Sequence, residues 1–157
     1  MKTVLLLGAG RISGPFIDYL DRKCQCKIVA ADLSEENLNY AKKFTACSDI
    51  VKVNAGNEAS VLIDEYKPDI VVNFLPPEYM SRVSKICLDK KVHMVHPAYI
   101  DEDTVRLADS IKKEGLIFVV ELGLDPGIDH MSAAKTIDHI HSNIGKVVSF
   151  RSLCGAL

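Results

Sequence analysis

The sequence predicts an α/β fold with a doubly wound, mostly parallel sheet and helices on both of its faces. Short apolar runs alternate with segments of helical periodicity along the whole chain. The runs are apolar at consecutive positions, which is typical of strands that are buried on both faces of a parallel sheet. A length of 157 residues suits one domain with a sizeable core.

The predicted strands, in chain order, cover residues 4–7, 27–31, 50–53, 69–74, 92–95, 116–120 and 146–154. The predicted helices cover residues 12–20, 34–44, 57–66, 78–89, 101–115 and 127–141. Ser34 is a favourable N-cap for the second helix, and Glu35 and Glu36 suit its first turn. Pro68 and Gly115 end the third and fifth helices. Because the last strand runs into the C-terminus, we expect that residues 1–157 are a truncated cofactor-binding domain without a separate substrate domain.

The composition excludes several classes of function. Lys and Arg number 19 and Asp and Glu number 21, and there is no Trp, so the chain lacks the basic surface of a nucleic-acid-binding protein. No apolar run approaches the roughly 20 residues that cross a bilayer. The five cysteines, at 24, 26, 47, 87 and 154, have no framework spacing, and no secretory signal precedes them. We therefore expect free thiols, a cytoplasmic location and no metal site.

A glycine-rich turn follows the first predicted strand and opens the first helix. It reads Gly8-Ala9-Gly10-Arg11-Ile12-Ser13-Gly14. In a dinucleotide-binding fingerprint, the first glycine allows the tight turn and the second lets the backbone approach the pyrophosphate at the helix N-terminus. The third glycine of that pattern falls on Ser13, with Gly14 one place late. The turn predicts nucleotide binding in a Rossmann-type fold.

Asp32 ends the second predicted strand, 22 residues after Gly10. A carboxylate there accepts hydrogen bonds from the adenosine ribose hydroxyls and repels a 2′-phosphate. No Lys or Arg follows before Lys42. The position favours NAD as the cofactor over NADP. Enzymes that use adenosyl-methionine share this pattern, so Asp32 alone leaves a methyltransferase open.

Other chemistry-bearing residues follow later strands. Ligands of open α/β sheets lie outside the carboxyl ends of the strands. Leu75 and Pro76 follow the fourth strand and are expected to line the cofactor crevice. Tyr99 follows the fifth strand, where it either contacts substrate or packs in its loop. Asp125 follows the sixth and is a candidate general acid or base, and Cys154 could reach the same edge.

One segment resembles a known family closely. The run ELGLDPGIDHM, at 121–131, is similar to the signature of the glutamate-forming saccharopine dehydrogenases, also called saccharopine reductases. The resemblance extends over the chain through LLLGAG at 5–10, the LP of 75–76, the AYI of 98–100 and SLCGAL at 152–157.

The resemblance implies hydride transfer to or from the secondary amine or imine of an amino-acid adduct such as saccharopine. It implies a small-molecule amino-acid substrate and a Rossmann domain followed by a larger substrate and dimerisation domain. The implied cofactor-binding residues are Gly8, Gly10, Arg11, Ile12, Asp32, Leu75 and Pro76. Near the reacting centre it places Asp125 as the acid/base group, with Tyr99 and Cys154 as orienting groups. Fungal members carry Arg at the position of Asp32 and prefer NADP, so the resemblance implies NAD here. Pro77–Met80 replaces a family stretch with Tyr and His, and His96-Pro97 replaces small hydroxyl residues, so the substrate within the family stays open.

Two functions from different classes therefore remain. The first is the cofactor-binding portion of a nicotinamide-dependent oxidoreductase, which by itself turns over substrate poorly or not at all. The second is a non-catalytic NAD(P)-binding or sensing module. The ELGLDPGIDHM segment is evidence against a methyltransferase. Apolar surfaces that a further domain would cover should favour a homo-oligomer.

Overall fold

A computed structural model describes residues 1–44 and 49–155. Its sheet has six strands, all parallel, in the order β3-β2-β1-β4-β5-β6. The strands are β1 (Thr3–Leu7), β2 (Lys27–Asp32), β3 (Asp49–Lys52), β4 (Ile70–Asn73), β5 (His93–Val95) and β6 (Phe118–Val119). This order reverses between β1 and β4, which is where doubly wound folds bind ligands. The predicted α/β class is confirmed. Cys47 and the last two residues of the SLCGAL run lie outside the described residues.

Helices cover both faces of the sheet, as predicted. They are α1 (Ser13–Cys24), α2 (Glu35–Ala41), α3 (Ala55–Tyr66), α4 (Met80–Asp89), α5 (Glu102–Arg106), α6 (Ala108–Lys113) and α7 (Ile128–Asn143). A single 3₁₀ turn at Pro77–Tyr79 precedes α4. Among the described residues, no helix has both the length and the apolar character needed to span a bilayer.

The apolar β1 run is the centre of the core. Leu5, Leu6 and Leu7 are fully buried, because β1 has a strand on either side and helices on both faces. Side chains of successive strand residues point to opposite faces. Leu5 and Leu7 accordingly pack with apolar residues of α3 and α4, and Leu6 packs with Ile17 of α1 and Leu38 of α2. Burial on both faces explains why the strand is apolar at every position.

The predicted helix over 101–115 is two helices in the structure. Asp101 caps α5 through its side chain, which accepts a hydrogen bond from the Thr104 N–H at 2.6 Å. Leu107 lies at the junction of α5 and α6. Its backbone N–H donates to the carbonyl of Thr104, three residues earlier in the chain. This three-residue spacing tightens the chain locally and interrupts the α-helical pattern.

The predicted seventh strand is wrong. Residues 146–154 lie in the described part of the chain, but they join no ladder of the six-stranded sheet. A strand forms only beside another strand that accepts and donates its backbone hydrogen bonds. Val148 and Leu153 are 97% and 88% exposed, so this segment lies outside the core. Its β-type sequence pattern is therefore not realised in this structure.

Candidate nucleotide-binding and catalytic site

The glycine turn after β1 depends on the backbone conformation of Gly8. Its φ is +92°, in the region that favours glycine. A Cβ at this position would lie 3.0 Å from the carbonyl carbon of Phe74, at the end of β4. The Gly8 N–H donates to the Ala31 carbonyl at 2.8 Å, which anchors the turn to β2. Only glycine allows the chain to turn this sharply between two neighbouring strands.

The next residues form a concave backbone surface that suits an anion. The N–H groups of Gly10, Arg11 and Ile12 donate no hydrogen bond to any residue within 1–44 and 49–155. Ile12, the N-cap residue of α1, makes no side-chain capping bond, and the first turn of this helix has no acidic residue. A Cβ on Gly10 would meet open space within 4 Å. Unpaired N–H groups at the start of a helix bind phosphates, so the loop fits a pyrophosphate.

Ser13 and Gly14 together replace the third glycine of the fingerprint. The buried Ser13 hydroxyl donates to the Gly10 carbonyl at 2.7 Å, which closes the loop from within. A Cβ on Gly14 would overlap the Phe44 ring. In the usual fingerprint the third glycine allows such close packing. Here Gly14 serves that purpose one residue later.

Asp32 joins the glycine loop to the segment after β2. Its carboxylate accepts hydrogen bonds from the Ala9 N–H and the Ser34 N–H, each at 2.7 Å. The Asn37 side-chain amide lies 3.3 Å from both carboxylate oxygens. Three protein donors therefore hold the carboxylate at the end of β2, facing the glycine loop.

A cavity of about 290 Å³ adjoins Asp32 at the carboxyl edge of the sheet. Leu75 and Pro76 line this cavity, which agrees with their expected place at the carboxyl edge of the sheet. The residues of the opposite wall were not identified from the sequence. The full lining is Asp32, Leu33, Asn54, Ala55, Gly56, Leu75, Pro76 and Tyr79. The Tyr79 ring lies directly against Gly56, where a Cβ would overlap it. This mainly apolar slot beside the Asp32 carboxylate has the character of a site for a flat ring.

A larger cavity, of about 400 Å³, lies at the opposite edge of the sheet. Its walls include Met1, Lys27 and Asp49, which precede or begin the first three strands. Ligands of parallel sheets bind at the carboxyl ends of the strands. The smaller cavity, at the carboxyl edge, is therefore the better candidate for a ligand site.

The three predicted catalytic residues lie together beyond β5 and β6. The Tyr99 hydroxyl donates to Asp125 Oδ1 at 2.7 Å, although 26 residues separate them. The Cys154 thiol lies near the same carboxylate and interacts with it electrostatically. Tyr99 is 58% exposed, so the cluster is open to solvent. The sequence placed these residues at one edge of the sheet, and the structure brings them into contact.

The hydrogen bonds fix the protonation of this cluster. The interaction with Cys154 and then the hydrogen bond from Tyr99 lower the pKa of Asp125. The hydrogen bond to Asp125 raises the pKa of Tyr99 to about 12, and the separate interaction with the Asp125 carboxylate raises the pKa of Cys154. At neutral pH the carboxylate is therefore ionised, whereas the hydroxyl and the thiol keep their protons. The arrangement presents one acceptor between two neutral donors.

Asp129 and His130 extend the cluster on the first turn of α7. Asp129 Oδ1 lies 2.8 Å from His130 Nδ1 and accepts a hydrogen bond from the Gly127 N–H at 2.9 Å. Potential metal-ligand atoms of Asp125, Asp129 and His130 lie within 4.8 Å of one another. Sequence reasoning overlooked His130 here. Its position directly after Asp129 in the ELGLDPGIDHM run was the available signal.

Replacing Tyr99 with phenylalanine is expected to raise the pKa of Asp125. The variant keeps the ring but removes the hydroxyl that stabilises the ionised carboxylate. Carbon-13 NMR titration of the Asp125 side chain measures this pKa directly. Tyr19→Phe is a control at an exposed position on α1. An unchanged Asp125 pKa in Tyr99→Phe would show that the bond is not maintained in solution.

Comparison with known proteins agrees with this geometry. The family model described as saccharopine dehydrogenase NADP binding domain matches residues 4–119. The model described as saccharopine dehydrogenase C-terminal domain matches residues 123–157.

Individual relatives match almost the whole chain. The mitochondrial alpha-aminoadipic semialdehyde synthase of Rattus norvegicus is 35% identical over 99% of this chain and 17% of its own length. The saccharopine dehydrogenase (NADP(+), L-glutamate-forming) of Pyricularia oryzae is 33% identical over 99% of this chain and 34% of its own length. The structure of apo saccharopine dehydrogenase (L-Glu forming) from Saccharomyces cerevisiae superimposes with a TM-score of 0.76 at 30% identity, over 90% of this chain and 32% of that one.

The chain thus spans between about a sixth and a third of the length of these relatives. The first family model covers the six strands and the glycine loop. The second begins just before the loop that carries Asp125. The chain belongs to the saccharopine dehydrogenase family and contains that family's nicotinamide-dinucleotide-binding domain.

Proposed function

We propose that this chain is the cofactor-binding portion of an oxidoreductase that acts on the secondary amine or imine of an amino-acid adduct such as saccharopine. The observation that carries the proposal is the Tyr99–Asp125–Cys154 cluster at the same sheet edge as the glycine loop. A dinucleotide that extends from the Asp32 end of this edge across β1 and β4 points its nicotinamide half toward β5 and β6. The bound cofactor supplies hydride transfer.

Each part of the dinucleotide has residues that suit it. The cavity at Leu33, Leu75 and Pro76 takes the adenine, and the free N–H groups after Gly8 take the pyrophosphate. Asp32 takes the adenosine ribose hydroxyls and favours NAD, because its charge opposes a 2′-phosphate. The fungal relatives are named as NADP(+)-dependent enzymes, so this preference for NAD is a property that we propose for this chain alone.

Oxidation of an amine requires removal of a proton from its nitrogen. Asp125 is the ionised acceptor in the cluster, and Tyr99 and Cys154 orient it. Cys154 and Tyr99 lower the pKa of Asp125, which keeps the carboxylate ionised. A substrate nitrogen that takes the place of one of them donates to the same carboxylate, so that its proton lies within reach of Asp125.

Binding and turnover by the purified chain test this function. We expect NAD to shift the backbone NMR signals of Gly10 and Asp32, and saccharopine added with NADH to shift those of Tyr99 and Asp125. Steady turnover should stay at background, because the exposed cluster does not exclude water from the reacting atoms. Saccharopine shifts that lie away from Tyr99 and Asp125 would contradict the proposed site. Robust turnover would contradict the expectation that the chain is only the binding portion.

We further propose that the isolated chain self-associates through its C-terminal apolar surface. Leu124, Ile128, Met131, Val148 and Leu153 are all exposed. Exposed apolar patches of this kind drive association. Light scattering at increasing concentration should give a mass above that of one chain, and a Val148→Asp/Leu153→Asp variant should lower it. A monomer at every concentration would refute the proposal.

A further inference from the structure

Glu121 lies in the chain between the segment of Tyr99 and the loop of Asp125, but the proposed function gives it no part. We propose that Glu121 is a positioning residue, which holds Tyr99 against Asp125 by bonding to the chain on both sides of Tyr99. This inference rests on the proposed function and deepens it, because it concerns the same cluster.

Two hydrogen bonds of Glu121 flank Tyr99. The Glu121 N–H donates to the Ala98 carbonyl at 3.1 Å. Glu121 Oε1 accepts from the Ile100 N–H at 3.2 Å. Residues 96–101 form neither helix nor strand, so no regular ladder fixes the backbone there. One residue of the next segment therefore anchors the chain immediately before and immediately after Tyr99.

Glu121 also lies at the base of the loop that carries Asp125. A Cβ on Gly127, beyond the far end of that loop, would lie 2.9 Å from the Glu121 carbonyl oxygen. A Cβ on Gly123 would lie 3.0 Å from the Pro97 carbonyl oxygen. The two segments that supply the cluster are thus packed closely against each other on either side of Glu121.

The backbone conformation of Glu121 is unusual for its residue type. Its φ is +61°, in the left-handed region that glycine adopts freely and asparagine tolerates better than most residues. Such conformations persist where surrounding contacts impose them, and they occur often at active sites. The bonds to Ala98 and Ile100 are contacts of this kind. Glycine would suit the turn alone, so the side-chain oxygen is what glutamate contributes.

Glu121 acts on the cluster through geometry rather than charge. The groups that shift the pKa of Asp125 are Cys154, Tyr99 and His130, together with burial, and Glu121 is not one of them. A neutral side chain whose oxygen reaches the same N–H should therefore replace glutamate. Loss of that oxygen should change Asp125 only by releasing Tyr99.

Glu121→Gln and Glu121→Asn form a matched pair that tests the inference. Glutamine can place a carbonyl oxygen where Oε1 lies, whereas asparagine suits the left-handed backbone but is one methylene too short to reach the Ile100 N–H. We expect Glu121→Asn to raise the pKa of Asp125 and to lower the pKa of Tyr99 from about 12, each toward its ordinary range. Glu121→Gln should leave both as in the wild type. Carbon-13 NMR titration of the Asp125 carboxyl and the Tyr99 ring, in the chain without ligand, measures both values.

Wild-type pKa values in Glu121→Asn would overturn the inference, and so would equal shifts in Glu121→Gln and Glu121→Asn. Glu121→Gly provides a second test if the asparagine variant does not fold, because glycine relieves the backbone conformation while also removing the oxygen. It should shift both pKa values in the same directions as Glu121→Asn. These titrations use no ligand, so their outcome is separate from that of the proposed function. That function fails if saccharopine with NADH leaves the wild-type signals of Tyr99 and Asp125 unchanged.

Discussion

Replacing Asp32 with serine is expected to change the ratio of NAD to NADP affinity about a hundredfold, in favour of NADP. In the proposed complex the carboxylate accepts hydrogen bonds from both ribose hydroxyls. Hydrogen bonds to a charged group contribute about 1.5–3 kcal/mol each. Serine loses most of this stabilisation of NAD, and it also removes a negative charge that repels the 2′-phosphate of NADP. The two effects act in the same direction on the ratio.

A matched variant separates cofactor recognition from loop structure. Asp32 also holds the Ala9 and Ser34 N–H groups, so Asp32→Ser can loosen the glycine loop and weaken both cofactors. Asp32→Asn retains an acceptor oxygen of the same size but loses the charge. We expect Asp32→Asn to shift the affinity ratio toward NADP by about tenfold. If the ratio stays unchanged in Asp32→Asn, the acid has a purely structural role.

Stability should fall between neutral pH and pH 4 because of His96. This residue follows β5 and is fully buried, and burial lowers its pKa from 6.5 to about 4, although the nearby Asp101 opposes the shift. In the unfolded chain the imidazole binds a proton near its ordinary pKa. Below pH 6.5 the unfolded state thus binds more protons than the folded state, and the free energy of unfolding decreases until the pH reaches the folded pKa. The shift corresponds to about 3 kcal/mol.

His96→Asn is a control that keeps the local hydrogen bond. His96 Nδ1 accepts from the Ala98 N–H at 2.9 Å, just as Asn73 Oδ1 accepts from the Leu75 N–H at 3.1 Å on the neighbouring strand. Asparagine at position 96 can make the same contact but does not titrate. Urea unfolding from pH 7 to pH 4 should show the wild type losing about 3 kcal/mol relative to the variant. Parallel pH profiles would mean that His96 is solvated in the folded state.

Much of the fold follows from local sequence signals. The Ser34 cap is confirmed, since its hydroxyl oxygen accepts from the Asn37 N–H at 3.3 Å. The third helix begins at Ala55 rather than 57, because Asn54 caps it by the same kind of bond to the Asn57 N–H. Residues 146–154 show that a local sequence pattern alone does not determine whether a strand forms. Their pattern is typical of a strand, but a strand depends on a neighbour that no local pattern specifies.

Only part of the site could be predicted from the sequence, because strand topology fixes where loops lie but not where their side chains point. Topology places the ends of parallel strands at one edge, so Tyr99 and Asp125 could be assigned to the same region without coordinates. Their hydrogen bond depends on side-chain directions in two irregular loops, which periodicity does not encode.

The edge formed by the glycine loop, Asp32 and Leu75 is proposed to bind a nicotinamide dinucleotide. Calorimetric titration of the wild-type chain with NAD and with NADP measures this most directly. We predict one NAD bound per chain, at least about tenfold more tightly than NADP. Tighter binding of NADP would contradict the assigned role of Asp32, and no binding of either dinucleotide would show that this edge is not a dinucleotide-binding site.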